Sequence, residues 1–85
     1  MRDRVTQITD EIYLLCILHN VGAIYPERAL SIEEISCLAS MEKQKVEENL
    51  NRLIEKGYAE TKTSGETKKY FVTINGMRKV LSIYS

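Results

Sequence analysis

The feature that most constrains this chain is a pair of apolar helical patterns set almost end to end between residues 31 and 57. The first opens with Ser31-Ile32-Glu33-Glu34, a capping box in which the serine hydroxyl accepts a backbone N–H and Glu34 reaches back to the N–H of Ser31. Ile32, Ile35, Leu38 and Ala39 are expected on its inner face. Ser40 and Met41 break the run, and Glu42 opens a second helix with an acid at the positive end of the helix dipole. There Val46, Leu50, Leu53 and Ile54 follow i, i+4, i+7, i+8, and Gly57 stands where a left-handed stop belongs. A short helix, a tight turn and a longer helix are thereby specified.

The flanks add four elements. Val5, Ile8, Ile12, Leu15, Cys16 and His19 recur at helical spacing from Val5 to about Asn20, and Tyr13, Ile17 and Leu18 widen the stripe. Such a helix belongs at the centre of the core or at a subunit interface. Asn20 or Gly22 ends it, and residues 22–30 form a connector with the sole proline, Pro26, in which Arg28-Ala29-Leu30 could pair as a short strand. Tyr58 to Thr63 and Thr67 to Thr73 read as strands joined by the turn Ser64-Gly65-Glu66. Alternation turns Tyr70 and Val72 to the core and Phe71 outward. Thr73 caps a final helix with Ile74, Met77, Val80, Leu81 and Tyr84 on one face.

The order helix–helix–helix–strand–strand–helix defines an α+β, mainly α class. The 85 residues make a single domain, with a helix-turn-helix over about 31–57, a hairpin wing over about 58–73 and a last helix over about 74–84. At this point the chain resembles the winged helix-turn-helix family, in particular the compact domains of MarR-, ArsR- and PadR-type prokaryotic and archaeal regulators. The likeness rests on Leu30-Ser31-Ile32-Glu33-Glu34-Ile35, on Val46 through Gly57-Tyr58, and on Tyr70-Phe71-Val72-Thr73-Ile74-Asn75-Gly76. It departs at Ala39-Ser40-Met41-Glu42, where the family often carries Leu-Gly-Leu-Ser. The resemblance implies three helices, a wing of two or three strands, a C-terminal helix, double-stranded DNA as partner and a role in transcriptional control.

With Val46, Leu50, Leu53 and Ile54 inward, the outward face of the third helix is Gln44, Lys45, Glu48, Asn51, Arg52 and Glu55, flanked by Lys43. In the implied fold that face enters the major groove. Gln44 matches adenine, Arg52 matches guanine or a phosphate, and Lys43 and Lys45 suit phosphates. Glu48 either accepts from cytosine N4 or pairs with Arg52 four residues on. Lys62, Lys68 and Lys69 on the wing are set to hold phosphates, or else to guard a sheet edge. Twelve basic and twelve acidic residues cancel, which excludes binding by bulk positive charge. The expectation is therefore a homodimer through the first and last helices, with Phe71 and Tyr84 in the contact. The competing expectation is a protein-interaction module whose third helix is plain surface.

Two cysteines, Cys16 and Cys37, and one histidine, His19, make neither a zinc set nor a disulfide framework. No metal, cofactor or catalytic constellation is expected, and no enzyme; no small-molecule pocket can be located. The apolar run Ile12 to Leu18 is too short for a bilayer. No signal-peptide profile follows the N-terminus, so a cytoplasmic protein is expected.

Overall fold

The computed structural model describes residues 8–84. Thr9 sets the start of α1 (Asp10–Asn20): its Oγ1 accepts from the Ile12 N–H at 3.2 Å. A 3-10 turn at Pro26–Arg28 leads into β1 (Leu30–Ser31) and α2 (Ile32–Ala39). The capping box forms as the sequence predicts, with Ser31 Oγ accepting from the Glu34 N–H and Glu34 Oε1 accepting from the Ser31 N–H at 2.9 Å. Then come α3 (Lys43–Glu55), β2 (Ala59–Ser64), β3 (Thr67–Val72) and α4 (Ile74–Tyr84), the last capped by Thr73, whose Oγ1 accepts from the Gly76 N–H at 3.0 Å.

The sheet is antiparallel with strand order β1-β3-β2. Leu30 pairs with Tyr70, and the hairpin runs from Ala59 opposite Val72 to Ser64 opposite Thr67. Its two-residue turn carries Gly65 at φ 63° while Glu66 keeps a negative φ, the pattern of a type II′ turn that suits strand twist. Leu14, Leu15 and Leu18 of α1, Ile35 of α2, Val46, Leu50 and Leu53 of α3, Tyr70 and Val72 of β3 and Val80 of α4 are wholly buried in one core. The structure thus has three helices, a three-stranded wing sheet and a C-terminal helix, as expected from the sequence.

Three helix faces differ from the sequence reading. In α1 the buried row is Glu11, Leu14, Leu15 and Leu18, whereas Ile12, Cys16 and His19 are only half-buried. Ile8 precedes the helix, and Val5 lies outside the described residues. Leu38 of α2 is 48% exposed rather than inward. The helix is eight residues long, so Ile35 and Ala39 fill its contact with the core. In α4, Val80 is buried with Gly76, but Ile74, Leu81 and Tyr84 face outward. The helix presses its Gly76 side onto the wing base so closely that a Cβ there would lie 2.1 Å from the Tyr58 carbonyl oxygen and 2.6 Å from Val72 Cγ1. That approach fixes the rotation of α4 and turns its larger apolar side chains away.

Candidate nucleic-acid interface

The turn between α2 and α3 sets how α3 is presented. Ser40 ends α2 in the left-handed conformation, at φ 53°. The Met41 N–H donates to the Ser36 carbonyl at 3.2 Å, and Ser36 Oγ donates to the Met41 carbonyl at 2.5 Å. Glu42 is the N-cap of α3 but its side chain makes no capping hydrogen bond, so it acts on the helix dipole through charge alone.

Val46, Leu50 and Leu53 anchor α3, and Asn49, 4% exposed, turns inward beside them. Its Nδ2 donates to the Lys45 carbonyl at 2.8 Å, and its Oδ1 accepts from Arg52 Nη1 at 3.2 Å. Sequence periodicity did not mark Asn49, because its partners lie on its own helix and satisfy it there. The helix therefore presents three strips. The outermost is Gln44, Glu48, Asn51 and Glu55, all exposed. Toward α1, Lys45 Nζ lies 2.8 Å from Asp10 Oδ2, and Lys56 Nζ lies 2.5 Å from Glu11 Oε2, a carboxylate that is itself buried. Toward α2, Lys43 Nζ stands 4.0 Å from Glu33 Oε2. The Asp10 carboxylate, through its hydrogen bond and its charge, raises the Lys45 pKa above the usual lysine value. Asp10 was not singled out by the sequence, since its partner lies 35 residues on, in another helix.

The wing lysines divide between two faces. Lys62 and Lys69 are cross-strand partners, on the face shared with Glu60 and Phe71. Lys68 belongs to the Tyr70 face, its ammonium 6.0 Å from the Tyr70 ring centroid. Lys69, through its charge, adds a small part to the lowering of the Glu34 pKa, which is due first to the Ser31 backbone N–H. Tyr84 is 65% exposed, and Phe71 is half-buried in the wall of an open cleft of about 620 Å³ with Ile24, Tyr25, Glu60, Ile74 and Met77. Among the described residues no group of three His, Cys, Asp or Glu side chains is placed to hold a metal, and no helix is long and apolar enough to cross a membrane.

This arrangement is a winged helix-turn-helix: α2, a three-residue turn, an exposed α3 and a hairpin behind it. Solved structures share it. TubR from Bacillus megaterium pBM400 superposes with a TM-score of 0.79 at 21% identity, over 93% of this chain and 89% of that one. The DNA-binding TubR fragment from Clostridium botulinum gives 0.76 at 19% identity, over 87% of this chain and 93% of that one. The Staphylococcus aureus MepR–DNA complex gives 0.74 at 18% identity, over 91% of this chain but only 62% of MepR. The chain therefore spans nearly the whole of TubR and less than two thirds of MepR. No protein-family model matches the chain, and no curated protein matches it in sequence.

Proposed function

We propose that this protein is a DNA-binding transcriptional regulator, acting in the cytoplasm without catalysis, that seats α3 in the major groove and lays its wing along the phosphate backbone. One observation carries the reading: the outer strip of α3 is a continuous solvent-exposed row beside an exposed hairpin bearing lysines. The same fold in MepR has been solved bound to DNA. In this reading Gln44 and Asn51 address base edges, Glu48 accepts from cytosine N4, and Lys43, Lys45, Arg52, Lys62, Lys68 and Lys69 serve phosphates or guanine.

A single copy with no net charge has few phosphate contacts, so the reading includes a homodimer that doubles them. Support comes from Ile74 and Met77 of α4, which line the cleft with Phe71, and from Tyr84, exposed further along the same helix at i+10 from Ile74. A second reading, a protein-docking module, draws on the carboxylates Glu48 and Glu55 in the outer strip of α3.

Fluorescence anisotropy with a labelled mixed-sequence duplex, at low and at physiological salt, separates the two. DNA binding through these cations weakens with salt by a log–log slope of about 0.9 per phosphate contact. The Lys68→Ala, Lys69→Ala double variant is expected to flatten that slope by up to about two contacts. Binding absent at low salt, or insensitive to salt, would overturn the DNA reading.

A further inference from the structure

The cation of the α3 face nearest its N-terminal turn on the α1 side is already occupied. Lys45 Nζ lies 2.8 Å from Asp10 Oδ2, closer than the Lys43–Glu33 pair at 4.0 Å, and both side chains of the Lys45–Asp10 pair remain about half exposed. Asp10 is the first residue of α1, directly after the Thr9 cap, so its carboxylate stands at a fixed point beside α3 rather than on a free loop. The neighbouring pair, Glu11 with Lys56, ties α1 to the C-cap of α3, about three turns further along, with Glu11 only 8% exposed. The two pairs differ in kind. Removing Lys56 strands the buried Glu11 carboxylate, whereas the Lys45–Asp10 pair, exposed on both sides, opens at small cost and can exchange one anion for another.

We infer that Asp10 is an internal competitor for nucleic-acid phosphate: it holds Lys45 in the unbound protein, and a phosphate must displace it before Lys45 can contribute. The inference rests on the DNA-binding reading of α3 and names the residue that limits it. Displacing Asp10 leaves its carboxylate close to the incoming backbone, so the acid opposes binding twice, by occupying the cation and by repelling the ligand. Asp10 is thus an affinity-setting residue that need not touch DNA itself.

The experiment compares wild type, Asp10→Asn, Lys45→Met and the double variant for binding to the same mixed-sequence duplex at two salt concentrations, after circular dichroism has shown each to be folded. Asp10→Asn is expected to tighten binding about fivefold at low salt and to steepen the log–log salt slope by about 0.9, one added phosphate contact. Lys45→Met alone is expected to weaken binding, because Asp10 is then left beside the backbone with no cation to offset it, and in the double variant the steeper slope of Asp10→Asn should disappear. A wild type that binds without any gain in Asp10→Asn overturns this inference and leaves the DNA reading standing. A slope gain that survives in the double variant also overturns it. If neither wild type nor Asp10→Asn binds, both the inference and the DNA reading fall.

Discussion

Gly76 and Tyr70 show how far single side chains govern this small core. A methyl group at Gly76 would fall inside the van der Waals contact of the Tyr58 carbonyl and of Val72, both held by the wing. The Thr73 N–H donates to that same Tyr58 carbonyl at 3.0 Å, which leaves the backbone little freedom to retreat. Gly76→Ala should therefore cost about 3 kcal/mol, measurable as a shift in the urea midpoint. Tyr70 presents the opposite case. Its ring is wholly buried, but its hydroxyl makes no hydrogen bond among the described residues. An unsatisfied buried polar group costs stability, so Tyr70→Phe is expected to gain about 1 kcal/mol. Burial also pushes the Tyr70 hydroxyl above its ordinary value of 10.0. The unfolded chain then ionises first, and folding weakens as pH rises through 10 and beyond; Tyr70→Phe should lose that part of the alkaline decline.

At the scale of elements, α2 depends on its start. Ser31 both caps the helix and pairs with Lys69 in the sheet, joining helix-turn-helix to wing. Ser31→Ala removes the hydroxyl that accepts the Glu34 N–H and should lower stability by about 1 kcal/mol in thermal unfolding. The Ser31 backbone N–H holds the Glu34 carboxyl below its usual range, so that bond contributes above the ordinary carboxylate pKa and is lost as pH falls through the lowered one. This cap, the turn at Gly65 and the Thr73 cap were all legible in the sequence, because each is a local pattern whose partners lie within three residues. Helix phase was legible only where a long apolar repeat fixed it, as Val46, Leu50 and Leu53 did for α3. In α1, which is apolar nearly all round, and α4, whose rotation is set by a missing side chain at Gly76, the inner face was chosen by tertiary contact. The outer strip of α3 was read correctly from its wheel. The pairing of its lysines with α1 was not, since nothing local links Asp10 to Lys45.

For the molecule as a whole, charge neutrality and an exposed apolar edge belong together. A protein without net charge gains little from long-range attraction to DNA; in the proposed dimer the net charge stays at zero and the gain is the doubling of short-range phosphate contacts. Ile74 and Tyr84, each 65% exposed, should then be covered in solution. Sedimentation equilibrium is expected to give a dimer at micromolar concentration and a monomer for Tyr84→Glu; a wild-type monomer would remove the dimer from the mechanism. The wing carries a consequence of its own. Nearly all of β2 beyond Ala59 is exposed, and Lys62 sits directly across from Lys69, so two like charges push apart the strands that the backbone ladder holds together. On the DNA-binding proposal, a phosphate placed between the two ammonium groups would relieve that repulsion. Docking would then tighten the finger as well as grip with it, so part of the attraction would go into ordering the wing.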